Sequence, residues 1–285
     1  MRVGFVGLGT MGGRMVGRLI AAGHRPVVYD LVPAAVERAV AGGATAGADL
    51  GALVRAADVV LSSLPMPGDV EGVYEQVAGS VRAGQVCVDL STIDPATAQR
   101  VGERLEAKGA RFLDGPVSGG PRGAEAGTLA VMVGGDADAL EVVRPVLSAF
   151  SARVFHVGPV GAGSVVKLAN QLLVGAGTIA AMEAVGFARR AGVAPETLLD
   201  VVRVSTGDSF MLRRSIGEFV LTGDFSPQFA LRLLAKDLRL YEAEAAALGA
   251  PTPSGRPTLG LFERALERGL GSEDFAAIVK VIEEL

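Results

Sequence analysis

The sequence predicts an α/β protein, with an α/β first half followed by an all-helical second half. Short runs rich in β-branched residues alternate with helical patterns as far as His156. This alternation is typical of a parallel sheet that is covered on both faces. Strand patterns stop after Gly161, and one long helical pattern runs from Ser164 to Arg190. We therefore expect an α/β domain over residues 1–162 and an all-α domain over residues 163–285, which includes the long connecting helix.

The individual elements follow from the same patterns. The predicted strands are Arg2–Val6, Pro26–Tyr29, Val59–Ser62, Val86–Asp89, Arg111–Asp114, Ala130–Val133 and Arg153–His156. The predicted helices of the first half are Thr10–Ala22, Pro33–Ala41, Leu50–Ala56, Val70–Val77, Ala96–Ala107 and Asp136–Phe150. Those beyond the long helix are Pro195–Ser205, Phe210–Leu221, Phe229–Leu248, Pro257–Arg268 and Phe275–Glu284.

The composition excludes several classes of protein. Acidic residues outnumber basic ones by 31 to 27, and the net charge of −4 argues against a nucleic-acid partner, which requires a basic surface. Cys87 is the only cysteine, so no internal disulfide and no cysteine metal site can form. No cluster of His, Asp and Glu indicates a metal site. The first residues lack the regions of a signal peptide, and we expect a cytoplasmic protein.

The apolar stretch from Leu172 to Ala188 calls for comparison with a membrane span. It contains Glu183, ends at Arg189, and falls short of the about 20 apolar residues that a span requires. We expect a buried helix and no membrane partner. Because a helix that is apolar on all sides lies in a core or at a subunit interface, we also expect a homodimer or homotetramer.

A glycine turn follows the first strand and opens the first helix, as a Rossmann-type dinucleotide site requires. Its glycines permit a tight turn, a close approach of the backbone to a pyrophosphate, and close packing of helix and strand. The phosphates would lie at the positive end of the helix dipole. The residues expected to bind the cofactor here are Gly7, Leu8, Gly9, Thr10, Met11 and Gly12.

Asp30 ends the second predicted strand, where an acid can accept hydrogen bonds from the adenosine ribose. A carboxylate there repels a 2′-phosphate, and the next three residues supply no arginine. NAD is therefore favoured over NADP, although NADP stays open. The loops that carry Leu64, Pro65 and Thr92 follow strands on the same edge of the sheet and are expected to complete the pocket; a proline turn and a helix N-cap are their structural alternatives.

The segment from Asp114 to Leu129 is too rich in glycine for an ordinary connection. Ser118, Gly119 and Gly120 would present a hydroxyl and adjacent backbone N–H groups, which suit a substrate carboxylate. The alternative is a tight turn without a ligand.

Lys167 and Asn170 share one face of the long predicted helix, where they could contact a substrate hydroxyl. A lysine has an ordinary pKa of about 10.4, and burial beside a nicotinamide cation would lower the pKa and permit proton exchange. His24 and His156 lack the partners of a lactate-type dehydrogenase, and no nucleophile elbow indicates a hydrolase.

Together, four segments of this chain resemble the β-hydroxyacid dehydrogenase family, which includes 3-hydroxyisobutyrate dehydrogenase and tartronate semialdehyde reductase. They are Gly7–Gly12, Asp114–Gly120, Gly161–Asn170 and Lys236–Leu240. The resemblance implies a Rossmann-type domain, a long connecting helix, an all-α domain and a homo-oligomer. It also implies that Lys167 is the catalytic acid/base, that Ser118, Gly119, Gly120 and Asn170 contact the substrate, and that Thr92 and Lys236 lie near the cofactor.

The implied reaction is the reversible NAD-dependent oxidation of a small 3-hydroxy acid, similar to 3-hydroxyisobutyrate, to its semialdehyde. The alternatives are an NADPH-dependent reductase of tartronate or succinic semialdehyde, a 6-phosphogluconate dehydrogenase-like enzyme, and an NAD-responsive binding protein without turnover. Imine reductases resemble the same architecture but usually lack the lysine. Asp69 and Tyr241 depart from the family's usual residues and bear on the cofactor loop and the pocket.

Overall fold

The computed structural model describes residues 1–285, which divide into two compact units, Met1–Lys167 and Leu168–Leu285. The predicted domain boundary after residue 162 lies five residues before this division. The long helix begins at Ala162, and its first turn is bonded to Asp114 of the first unit. That attachment accounts for the difference.

The first unit is built on a nine-stranded sheet with the order β3-β2-β1-β4-β5-β6-β8, in which β7 and β9 also pair with β8. The strands are β1 Val3–Val6, β2 Val27–Tyr29, β3 Thr45–Ala46, β4 Val59–Ser62, β5 Val86–Asp89, β6 Arg111–Asp114, β7 Val117–Ser118, β8 Leu129–Gly135 and β9 Ser151–Gly158. All seven predicted strands are present, with ends that shift by up to two residues. The short strands β3 and β7 were not predicted, because two residues carry no periodicity.

The expectation of a parallel sheet is correct for β1 to β6 but wrong at β8, which runs antiparallel to β6 and β7. The pairs Leu113 with Gly135 and Val117 with Val131 belong to one continuous register, so β6 and β7 lie along the same edge of β8. The Gly115–Pro116 step interrupts them, because proline donates no hydrogen bond to a ladder.

Helices cover both faces of this sheet. They are α1 Gly12–Ala21, α2 Pro33–Ala41, α3 Leu50–Ala56, α4 Pro67–Val77, α5 Pro95–Glu106, α6 Gly120–Ala126 and α7 Ala137–Leu147. Successive strand residues alternate between two buried clusters: Phe5 and Leu61 pack on one face, and Val6 and Val60 on the other. Two apolar faces explain why these strands show as continuous apolar runs. Helix α6 was not predicted because its sequence resembles a turn.

Helix α8, Ala162–Arg190, begins in the first unit and continues into the second. The remaining helices are α9 Pro195–Val202, α10 Phe210–Arg214, α11 Leu231–Ala247, α12 Gly255–Glu267 and α13 Val279–Ile282. The predicted helix Phe210–Leu221 is divided, because a π-helical segment occupies Ser215–Val220. Short 3-10 turns cover Leu270–Ser272 and Phe275–Ile278.

Close packing in the second unit depends on a glycine of α8. A β-carbon at Gly175 would lie 3.1 Å from Thr258 Cγ2 and 3.2 Å from Leu238 Cδ1, so its absence lets α11 and α12 approach the helix. By length and composition α8 is the one helix that could span a membrane; 44% of its most apolar window is buried, and the core helix of a soluble protein meets the same criteria.

Candidate active site

The glycine turn between β1 and α1 leaves room that a dinucleotide can fill. A β-carbon on Gly7 would overlap the carbonyl oxygen of Ser63, and one on Gly12 would overlap the carbonyl oxygen of Gly7. Gly7 also has φ +88°, which favours glycine. A β-carbon on Gly9, by contrast, would meet no protein atom within 4 Å. The turn is thus closed towards the protein and open at Gly9, which fits an approaching pyrophosphate.

Asp30 supports this turn directly. Its Oδ2 accepts a hydrogen bond from the Leu8 N–H at 2.6 Å, and its Oδ1 accepts one from the Val32 N–H at 2.7 Å. The carboxylate is half-buried at the end of β2. Because each carboxylate oxygen can accept more than one hydrogen bond, Asp30 can hold the turn and still accept bonds from a ribose.

The two other predicted cofactor loops are joined by a serine. Ser91 Oγ accepts a hydrogen bond from the Leu64 N–H at 2.8 Å and donates one to Asp89 Oδ1 at 2.7 Å. Pro65 is exposed, and Thr92 is half-buried. The structural alternatives for these loops also exist: Pro67 begins α4, and Asp94 caps α5 by accepting from the Thr97 N–H at 2.8 Å.

Asp89 lies fully buried at the end of β5. Burial raises the pKa of this carboxyl to about 6, against the opposing effect of the Ser62 and Ser91 hydroxyls, which donate to it. The nearby Asp114 raises the pKa further.

The predicted carboxylate-binding segment adopts a backbone that only glycine accepts readily. Gly119 has φ +128° and Gly120 has φ +62°, both in the left-handed region. Ser118 is half-buried at the end of β7, and a β-carbon on Gly120 would meet no atom within 4 Å. Gly120 therefore borders open space, whereas a β-carbon on Gly119 would lie 3.0 Å from Leu129 Cδ2.

Lys167 is buried, with 8% of its surface exposed. It lies one turn beyond Ser164 on α8, and the start of that helix is fixed to the sheet by Asp114. Asp114 Oδ1 accepts from the Gly161 N–H and its Oδ2 from the Ser164 N–H, both at 2.7 Å. Burial raises the pKa of Asp114, whereas these backbone donors lower it. The end of β6 thereby sets the position of the helix that carries Lys167.

In the second unit, two hydrogen bonds and one ion pair connect Asn170 with Lys236. Asn170 Nδ2 donates to Gln171 Oε1 at 3.1 Å, and Gln171 Nε2 donates to Asp237 Oδ2 at 2.5 Å. The other oxygen of Asp237 lies 2.8 Å from Lys236 Nζ. Gln171 and Asp237 are buried, so the positions of the two predicted residues depend on each other.

Sequence reasoning missed the residues that hold the predicted site in place. Asp89 and Asp114 each occupy the last position of a buried strand, and an acid at that position is a signal that could have identified them. Ser91, Gln171 and Asp237 carried no comparable signal, because the bonds from Ser91 to Leu64 and from Gln171 to Asp237 join residues that are distant in sequence.

The two departures noted in the sequence have different surroundings. Asp69 is exposed in the first turn of α4. Tyr241 is half-buried, and a β-carbon at Gly255 would lie 2.9 Å from its Cε1, so the ring packs closely against the start of α12. No group of three or more His, Cys, Asp or Glu side chains is placed to hold a metal ion.

The strand–glycine turn–helix unit, Asp30 and the sheet order define the class of protein: a Rossmann-type binder of nicotinamide dinucleotides. Comparison with known families agrees. Residues 2–158 match the NAD binding domain of 6-phosphogluconate dehydrogenase, and residues 161–282 match the NAD-binding domain of NADP-dependent 3-hydroxyisobutyrate dehydrogenase.

Individual relatives cover nearly the whole chain. A 2-(hydroxymethyl)glutarate dehydrogenase from Eubacterium barkeri is 36% identical over 100% of this chain and 96% of its own. A 3-hydroxyisobutyrate dehydrogenase from Pseudomonas aeruginosa is 37% identical over 98% of this chain and 97% of its own. A solved structure of Mycobacterium tuberculosis 3-hydroxyisobutyrate dehydrogenase with L-serine has a TM-score of 0.93 at 33% identity and covers 99% of this chain and 98% of its own.

The chain therefore belongs to the β-hydroxyacid dehydrogenase family. It is an NAD-dependent hydroxyacid dehydrogenase that acts on a CH–OH group, with NADP as the alternative cofactor.

Proposed function

We propose that this enzyme reversibly oxidises a small 3-hydroxy acid, similar to 3-hydroxyisobutyrate, to its semialdehyde, with Lys167 as the general acid/base. The observation that carries the proposal is the buried Lys167 on a helix whose first turn is fixed to the end of β6 by Asp114. A buried amine on an anchored helix is held where it can exchange a proton with a bound substrate.

In oxidation, the Lys167 amine accepts the proton of the substrate hydroxyl, and the resulting ammonium returns it in reduction. A bound NAD⁺ would supply the acceptor for the hydride that leaves the carbinol carbon. Ser118, Gly119 and Gly120 hold the substrate carboxylate with a hydroxyl and backbone N–H groups. Asn170, one turn beyond Lys167 on the same face of α8, orients the hydroxyl.

The proposed cofactor contacts fall into three groups. The turn of Gly7, Leu8, Gly9, Thr10, Met11 and Gly12 receives the pyrophosphate, and its openness at Gly9 supports this role. Asp30 accepts from the adenosine ribose. Leu64, Pro65 and Thr92 complete the pocket. For a cofactor contact of Lys236, the support is the family resemblance alone.

The relatives support the proposed substrate class. The compounds in their names, 3-hydroxyisobutyrate, L-serine and 2-(hydroxymethyl)glutarate, are all 3-hydroxypropanoates that differ in the substituent on C2. The common part is a carboxylate and a primary alcohol two carbons away. We propose that this chain recognises that common part through Ser118–Gly120 and Lys167.

A panel of 2-substituted 3-hydroxypropanoates, assayed by absorbance of NADH, tests this proposal. We expect turnover with the methyl-substituted acid and weak turnover with 2-hydroxy acids, whose alcohol lies one carbon too close to the carboxylate. Preference for 2-hydroxy acids would contradict the substrate class. Because the family match for the second half names an NADP-dependent enzyme, the panel includes NADP(H), and faster turnover with NADP would contradict the role of Asp30.

The substitution Lys167→Ala tests the mechanism. We expect kcat to fall by about two orders of magnitude or more, since general acid/base groups contribute roughly 10²–10⁴-fold, with little change in NADH binding. Lys108→Ala, at an exposed lysine of the first unit, is the matched control and should retain full activity. Near-normal turnover in Lys167→Ala would exclude the lysine as the acid/base.

A further inference from the structure

A buried polar network joins the carboxyl ends of β4 and β5. Ser62 Oγ and Ser91 Oγ each donate to Asp89 Oδ1 at 2.7 Å. Ser62 has a single hydroxyl proton, which it uses in the hydrogen bond to Asp89. The Tyr74 hydroxyl is therefore the donor in its 2.8 Å hydrogen bond with Ser62 Oγ. Every hydrogen bond in the network therefore has one direction, and Asp89 is its final acceptor.

One arm of the network reaches the glycine turn. Ser91 Oγ donates a hydrogen bond to Asp89, and its lone pairs accept one from the Leu64 N–H. Residues Ser63–Leu64 (the Leu64 segment) in turn pack directly on Gly7. A β-carbon on Gly7 would overlap the Ser63 carbonyl oxygen and lie 3.0 Å from Leu64 Cδ2. A shift of the Leu64 segment would therefore change the packing against the glycine turn.

The other arm, through Ser62 and Tyr74, remains in the core between β4 and α4. The two arms use the same acceptor oxygen, since Asp89 Oδ2 has no hydrogen-bond partner. The network thus offers an internal comparison, in which one serine faces the cofactor loops and the other does not.

We propose that Asp89 is a positioning residue which, through Ser91, holds the Leu64 segment against the glycine turn and so sets the affinity for NAD(H). The inference rests on the proposed cofactor role of Leu64 and Pro65. In this role Asp89 acts through other residues. It orients the Ser91 hydroxyl, and that hydroxyl holds the Leu64 N–H.

The test is titration of each variant with NADH by fluorescence, without a hydroxy acid. Loss of one hydrogen bond of about 1 kcal/mol predicts that Ser91→Ala weakens NADH binding about fivefold. Asp89→Ala should weaken it at least as much. Asp89→Asn keeps an oxygen at the Oδ1 position, and we expect it to bind NADH within about twofold of the natural protein.

Ser62→Ala is the matched control, because it removes an equally buried hydroxyl that donates to the same oxygen. It should lower the Tm about as much as Ser91→Ala and leave NADH affinity within about twofold of the natural value. A purely structural network predicts a different result for Ser91→Ala, namely that both serine variants lose stability and neither changes NADH affinity. Unchanged NADH affinity in Ser91→Ala, or equal weakening in both, overturns the inference.

The outcome is separate from that of the proposed reaction. Failure of the substrate class or of the Lys167 mechanism appears only in turnover, whereas this experiment contains no substrate. If the natural protein oxidises 3-hydroxy acids and Ser91→Ala binds NADH normally, the reaction is correct and the role of Asp89 is wrong.

Discussion

Asp89 and Asp114 are paired in the register of β5 and β6, and both carboxyls are buried. Their surroundings differ. Asp114 uses both oxygens to accept backbone N–H groups, whereas Asp89 accepts two hydroxyls on one oxygen only. Backbone donors at both oxygens stabilise a carboxylate well, and a single shared oxygen does so less. Asp89 is therefore the residue whose protonation should affect stability near neutral pH.

The raised pKa of Asp89 predicts that the folded protein loses stability as the pH rises. Burial raises the pKa from the ordinary 3.8 to about 6. Between these pH values the folded protein binds a proton at Asp89 and the unfolded chain does not. The stabilisation from this proton is therefore complete below pH 3.8 and is lost as the pH rises through about 6. We expect the free energy of unfolding of the natural protein, minus that of Asp89→Asn, to fall by about 2 kcal/mol between pH 4 and pH 7.

Urea denaturation of both proteins over this pH range measures the difference. Two neighbouring groups do not titrate in this range, because the pKa of Tyr74 is raised well above its ordinary value and the pKa of Cys87 is raised to about 12. A constant difference from pH 4 to pH 7 would show that Asp89 does not titrate there.

At the scale of elements, the start of α8 links the sheet to the proposed chemistry. Asp114 ends β6 and accepts from the Gly161 and Ser164 N–H groups, so a strand end serves as the cap of the helix. Lys167 follows within one turn of that cap. The position of the Lys167 backbone therefore depends on Asp114.

Asp114→Asn tests this dependence. An amide has one acceptor oxygen, so it can satisfy only one of the two N–H groups, and the unsatisfied group costs about 2 kcal/mol of unfolding free energy. Because Lys167 shifts with the helix end, we expect kcat to fall at least about tenfold. Asp136→Ala, which removes the N-cap of α7, is the control; it should lose about 1 kcal/mol of stability without loss of kcat. Equal kcat in the two variants would show that the Asp114 cap of α8 does not affect catalysis.

The elements also show what the sequence could predict. All seven predicted strands exist. The pattern is strongest in β1, β4 and β5, which are buried along their whole length, whereas β9 is largely exposed. The short strands β3 and β7, the antiparallel direction of β8 and helix α6 were missed, because pairing partners and glycine backbone angles do not appear as periodicity. The π-helical segment at Ser215–Val220 was missed for a similar reason, since its spacing differs little from that of an α-helix.

The predicted site residues show the same limit. The glycine turn, Asp30 and Lys167 were identifiable because each occupies a fixed place relative to a strand or helix end. The supporting residues are different, because they act through bonds between residues that are distant in sequence. Ser91 accepts from the Leu64 N–H, and Gln171 donates to Asp237. Such supporting residues require the structure.

At the scale of the whole molecule, the second unit exposes large apolar side chains. On α8, Leu173 is 70% exposed and Phe187 is 77% exposed. Phe187 also lines an open groove with Ile282 and Leu285. Large exposed apolar side chains on one helix are typical of a surface that another chain covers. We propose that two or four copies of this chain associate through it.

Light scattering on the purified protein tests the assembly, with a charge placed in the apolar surface as a probe. We expect the natural protein to behave as a dimer or tetramer at micromolar concentration, and Phe187→Glu to shift it towards a smaller species, because a carboxylate buried at an interface loses its hydration. Val142→Glu, at an exposed apolar position on α7 of the first unit, should leave the assembly unchanged. A natural protein that is monomeric, or two variants that dissociate equally, would show that this apolar surface of the second unit does not hold the subunits together.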